Sequence, residues 1–174
     1  MKKIILLFTV IAFIAACSTN TITGRKQLSL YAESTLQQAA VSQYQSFLSE
    51  NKVVNQNISK DAEMVKRVGT RIAQAITSYY AQKGLSKELE GYKWEFNLVD
   101  NKEVNAWCMP GGKVVVYTGL LGITQNEAAL AVVLGHEITH AVAHHGNERM
   151  SQVTLAQGLE IVGNIATANN PKYN

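Results

Sequence analysis

Between Leu134 and His140 the chain reads Leu-Gly-His-Glu-Ile-Thr-His. Residues four apart on an α-helix share one face, about 40° apart in rotation and about 6 Å along the axis. A helix here therefore lets His136 and His140 aim neutral imidazole nitrogens at one cation. Glu137 stands about 100° round, where its carboxylate reaches a water at that cation without being a ligand. Zinc lowers the pKa of such a water enough to make it a nucleophile near neutral pH. The alternative is a pair of helix histidines that only cap or fill packing. The rest of the chain has to hold this helix rigidly.

At 174 residues the chain is one domain's worth, and 47% of it is apolar, enough for a sizeable core. The net charge is only +3, and Lys2 and Lys3 supply two of those charges. Nucleic-acid binding wants a strong basic patch, so no nucleic-acid partner is expected. Two cysteines, Cys17 and Cys108, make no disulfide framework.

Met1-Lys2-Lys3 precedes an apolar run from Ile4 to Ile14. That run is too short to span a bilayer comfortably and suits the core of a secretory signal. Ile14-Ala15-Ala16-Cys17 resembles the lipobox of bacterial lipoproteins. The resemblance implies a signal peptide over residues 1–16, cleavage before Cys17, and diacylglycerol and a further acyl chain such as palmitate on that cysteine. Several acyl chains anchor stably where one is marginal. Residues 17–24, polar and turn-rich, read as the lipidated tether. An ordinary signal or an anchor helix is the alternative, and each choice places residues 25–174 outside the cytoplasm.

Helices are expected over Glu33–Leu48, with Leu36, Ala40, Tyr44 and Phe47 on one face, and over Asp61–Tyr80. In the second, Met64, Val65, Val68, Ile72, Ala75, Ile76 and Tyr79 form one stripe. Tyr92 to Val99 alternates, with Tyr92, Trp94, Phe96 and Leu98 on one face, and reads as a half-buried strand. Asn101–Ala106 reads as a loop, Pro110-Gly111-Gly112 as a turn, and Lys113–Tyr117 as a β-branched strand ending at Gly119. Thr124 and Glu127 fit a capping box for a helix from Ala128 to about His145. Ala128–Leu134 is apolar nearly all round, which predicts a helix buried in the domain centre. Gly135 costs helix stability there, so a close neighbour is expected on that side. Gly146-Asn147 should break this helix before another begins at Glu148. An edge strand can hold an extended peptide by pairing with it, and Val114, Val115, Val116 and Tyr117 are the candidates for substrate binding. The alternative is that this strand lies inside the sheet.

Several stretches together resemble the M48 family of zinc metallopeptidases. They are Asn105-Ala106, Pro110-Gly111-Gly112, Val116 to Leu121, Glu127-Ala128, Leu134 to Ala141 with His144, and Glu148-Arg149-Met150-Ser151. The nearest resemblance is to its bacterial lipoprotein branch, related to the mitochondrial Oma-type protease. It implies an α+β fold: a mostly helical, zincin-like domain with a small antiparallel sheet packed on the metal-binding helix. It also implies one Zn2+ per chain, His136 and His140 as zinc ligands, and Glu137 as catalytic acid/base. The implied activity is endoproteolysis of unfolded or damaged proteins in the bacterial cell envelope, facing the periplasm or exterior.

The family takes its third zinc ligand from a glutamate in a Glu-x-x-x-Asp-like motif on a later helix, and no such motif follows before Asn174. A catalytic zinc needs three protein ligands and an open position. His144 lies about 12 Å along the helix from His136, too far to share a cation. The metzincin pattern asks for a further histidine at position 146, where the chain has Gly146. Glu148 follows the helix break too closely to be judged, and Glu160 could in principle reach back. The expectation is the front part of a longer enzyme. The alternative is a catalytically incomplete lipoprotein that binds peptides or partner proteins through the same groove. His144 and His145 are expected beside the site or on the surface. Cys108 has no cysteine-protease signature around it and reads as a buried small hydrophobe.

Overall fold

The computed structural model describes the backbone of residues 17–168 and the side chains of residues 18–161. The expected signal peptide, residues 1–16, and the side chain of Cys17 lie outside these. In chain order the elements are β1 (Cys17–Thr19), β2 (Lys26–Leu28), α1 (Glu33–Glu50), α2 (Lys60–Gln82), a 3-10 turn (Ser86–Leu89), β3 (Glu95–Val99), β4 (Ala106–Met109), β5 (Lys113–Tyr117), α3 (Thr118–Thr124), α4 (Glu127–Val142) and α5 (His145–Ala168). They form two units: residues 32–145, and, among the described residues, 17–31 with 146–168. The class is the expected one, α+β and mostly helical.

The larger unit is built on a three-stranded sheet of order β3-β5-β4. β5 runs antiparallel to β4, with Ala106 opposite Val116, as expected. It runs parallel to β3, with Glu95 opposite Lys113, so the sheet is mixed. Val114 and Val116 point with Phe96, Leu98 and Ala106 into a core shared with Val65 and Val68 of α2 and Leu130, Leu134 and Ile138 of α4. Val115 and Tyr117 point the other way, toward Tyr44, Phe47 and Trp107. A strand covered on both faces reads as an unbroken apolar run, which is why Val114-Val115-Val116 shows no alternation. Lys113 is also buried. Its Nζ donates to Lys93 O at 2.7 Å and pairs with Glu95. The turn from β4 to β5 needs glycine: Gly112 has φ +82, and a Cβ there would stand 2.6 Å from the Trp94 ring.

α2 is capped by Ser59, whose Oγ accepts from Ala62 N at 3.3 Å. Its stripe forms as expected through Val65 and Val68, but Tyr80 rather than Tyr79 turns inward at the end. Gly69 lets α2 approach the sheet, since a Cβ there would meet the Phe96 ring at 2.3 Å.

α3 was not legible, because Gly119 and Gly122 each cost about 1 kcal/mol of helix propensity. It ends at Gln125, which has φ 58. α4 is then capped by Asn126, whose Oδ1 accepts from Ala129 N at 2.9 Å. The expected Thr124–Glu127 capping box does not form: Thr124 closes α3, and Glu127 pairs with Arg67 of α2 instead. α4 buries one face only, through Leu130, Leu134, Ile138, Ala141 and Val142. Val132 is 74% exposed, and a Cβ on Gly135 would meet nothing within 4 Å, so neither all-round burial nor the expected close neighbour is found. The helix breaks earlier than expected, at Ala143 and at His144 with φ 58. Gly146 and Asn147 belong to α5.

In the smaller unit β1 and β2 pair antiparallel, Cys17 opposite Leu28. Asn20 Oδ1 accepts from Ile22 N at 3.0 Å and Thr23 N at 2.9 Å, which shapes the turn. Residues 17–24, expected as a plain tether, are thus the first arm and turn of a hairpin. The segment after it is tied to α5. Asn147 Nδ2 donates to Tyr31 O at 2.9 Å, and Leu30 N donates to the buried Ser151 Oγ at 2.9 Å. Among the described residues, no helix is long and apolar enough to cross a membrane.

Candidate metal centre

His136 and His140 lie on the exposed side of α4, opposite the face that Leu134 and Ile138 bury. Their Nε2 atoms come within 3.0 Å of each other, and their rings cross at 90°. Two imidazole nitrogens on one tetrahedral zinc sit about 3.3 Å apart, given bonds of about 2.0–2.1 Å. The pair therefore fits a shared cation after a slight rotation of either ring.

Glu137 is the next residue and is half-buried. Its negative charge is felt by Cys108 on β4. Burial, with that charge as the smaller cause, pushes the Cys108 thiol up to about 12. A nucleophilic cysteine acts as the thiolate, which this upward shift disfavours near neutral pH.

The C-terminal end of α4 is held in place from two sides. Tyr92 Oη donates to Ala141 O at 3.0 Å, and burial pushes its phenol far above the usual range, which keeps that proton on. His144 Nδ1 lies 2.5 Å from Glu33 Oε1, and Nε2 lies 3.9 Å from Glu88 Oε2. The hydrogen bond to Glu33 holds the His144 imidazolium above its ordinary value, against a smaller desolvation effect. His144 thus faces carboxylates, away from any shared cation with His136. His145, by contrast, lies against the site: its Nδ1 is 2.7 Å from His140 Nδ1.

The expectation that Val114, Val115, Val116 and Tyr117 offer a free edge does not hold. β5 is the middle strand, its main chain is paired on both sides, and all four residues are buried. Among the described residues, β4 is paired on one side only, and it packs against α4. No signal in Ala106-Trp107-Cys108-Met109 marked this short strand beforehand.

Among the described residues, no group of three or more His, Cys, Asp or Glu gathers to hold a metal. Glu148 is engaged within the smaller unit, accepting from Arg25 at 2.7 and 2.5 Å. Glu160 is exposed on α5.

Comparison with known proteins returns one family, Peptidase family M48, over residues 59–172. The mitochondrial metalloendopeptidase OMA1 of Bos taurus is 31% identical over 158 residues, covering 90% of this chain and 29% of that protein. OMA1 of Arabidopsis thaliana is 46% identical over 67 residues, 38% of this chain and 14% of the relative. The beta-barrel assembly-enhancing protease of Yersinia pestis is 39% identical over 70 residues, 40% of this chain and 14% of the relative. The chain therefore spans less than a third of each of these relatives.

Proposed function

Because this chain belongs to peptidase family M48, we propose that it carries the catalytic helix of a zinc-dependent metalloendopeptidase of the bacterial cell envelope. The observation that carries the reading is the convergence of His136 Nε2 and His140 Nε2, with Glu137 between them in sequence. When bound, zinc supplies a Lewis acid for the scissile carbonyl and acidifies the attacking water.

The chain's own residues do the rest. His136 and His140 hold the ion through Nε2. Glu137 takes the proton of the attacking water and returns it to the departing amine. The outer edge of β4, residues Ala106–Met109, receives the substrate as an added extended strand. β4 fits this task because, among the described residues, it is paired on one side only and packs against α4. A catalytic zinc takes three protein ligands, of which His136 and His140 are two. Unfolded or damaged envelope proteins are the substrates this arrangement suits, since an edge strand reads main chain rather than a folded shape. Lipidation of Cys17 would hold the chain at the membrane. The Ile14-Ala15-Ala16-Cys17 lipobox supports this.

The test is zinc content of the full chain after equilibration with buffered zinc, alongside cleavage of an unfolded protein. One zinc per wild-type chain, lost in His136→Ala, is expected. Glu137→Gln should keep the zinc and lose about 10²–10⁴-fold in cleavage rate. A Glu137→Gln chain as fast as wild type would sink the assignment of the base. Zinc uptake with peptide binding and no cleavage would make the chain a peptide-binding lipoprotein instead.

A further inference from the structure

His140 and His145 are five residues apart, and on one unbroken helix they would point about 140° away from each other. Yet His145 Nδ1 lies 2.7 Å from His140 Nδ1, with ring centroids 4.9 Å apart and rings inclined at 63°. The break between α4 and α5 makes this possible. Ala143 and His144 form a turn, and His144 takes the left-handed conformation, φ 58, that an L residue with a side chain seldom adopts. Such a conformation persists only where the surroundings hold it. Here Glu33 of α1 holds the His144 ring at 2.5 Å, Glu88 of the 3-10 turn faces its other nitrogen, and Tyr92 anchors Ala141 O.

We propose that His145 is a positioning residue: it accepts the Nδ1–H of His140 and so leaves the Nε2 lone pair of His140 aimed at the cation site. The two ring nitrogens of His140 point in different directions, one to His145 and one to His136. His145 therefore stands behind His140 and cannot share its cation. An imidazole can ligate only through a nitrogen that carries no proton, and a partner at the other nitrogen decides which one that is. Carboxylates or main-chain carbonyls usually take this place behind a metal-binding histidine. Here a second imidazole takes it, with its own proton on Nε2.

This inference rests on the metal reading above, and its test separates the two. The measurement is the 15N spectrum of the imidazoles in the metal-free full chain, at a pH where they are neutral, joined to a zinc affinity. Wild-type His140 should carry its proton on Nδ1. In His145→Ala the proton should move to Nε2, and zinc should bind about 10–100-fold more weakly. His145→Asn, whose Oδ1 can accept the same proton, should restore the Nδ1–H form and most of the affinity. A residue that only stabilises the turn would lower the melting temperature in both variants alike and leave the tautomer untouched. A wild-type His140 protonated at Nε2 overturns the proposal, and so does a His145→Ala chain with unchanged tautomer and affinity. Should His145→Ala fail to fold, the wild-type tautomer and the Asn variant still decide it. A wild-type chain with the Nδ1–H form that takes up no zinc overturns the metal assignment and not the bond.

Discussion

At the scale of single residues, His136, Glu137 and His140 were legible because their relation is local. A helix turns 100° per residue whatever surrounds it, so spacing alone brings two histidines together. His145 was expected beside the site or on the surface, but its contact with His140 was not legible, because it depends on a break at His144 that no Gly or Pro marks. Gly135 misled in the opposite direction. Its cost to the helix suggested a close neighbour, yet the space beside it is open. Gly135→Ala should therefore stabilise the metal-free chain by about 1 kcal/mol. Thermal unfolding should show a rise of about 2–4 °C, and a fall would mean something does cover that face. His144 carries a pH dependence whose sign follows from its raised pKa. The folded state binds the proton more tightly than the unfolded one, so the ion pair with Glu33 stabilises below the ordinary histidine value of 6.5. That contribution is lost as pH rises through the raised folded value. Unfolding free energies measured from acid to alkaline pH should show wild type exceeding His144→Gln most at the acid end, with the gap closing above. A gap constant with pH would mean that protonation of His144 plays no part.

At the scale of elements, the reading succeeded where one face is apolar and one polar, and failed where both are apolar. α2 announces its buried stripe, and β3 alternates through Phe96 and Leu98. Val114-Val115-Val116 has no polar face, which is itself the mark of a strand covered on both sides. Taking it for an edge ignored that sign. Ala128–Leu134 is the converse case: a helix apolar all round in sequence buries only Leu130 and Leu134 completely. A pair of substitutions tests which face carries weight. Leu134→Ala should cost about 2–5 kcal/mol and loosen the hold on His136. Val132→Ala, on the face away from the core, should change stability by less than about 0.5 kcal/mol. Denaturant midpoints of the two variants would compare them directly, and a comparable loss at Val132 would show that its face is covered in solution.

At the scale of the whole molecule, the family match runs over residues 59–172 and so reaches from the 32–145 unit into the segment that follows it. Both imidazoles lie within that match. Glu148 is taken up by Arg25, which leaves Glu160 as the acidic residue of α5 that sequence spacing singled out. Among the described residues, Glu160 joins no metal-holding group. Zinc binding to the folded chain alone stabilises it by about 2.7 kcal/mol when zinc is at a hundred times its dissociation constant. The shift in unfolding temperature with added zinc thus reports the completeness of the site without relying on catalysis. Wild type and Glu160→Gln should shift equally, and His136→Ala should not shift at all. A Glu160→Gln chain that behaves like His136→Ala would instead make Glu160 the third ligand.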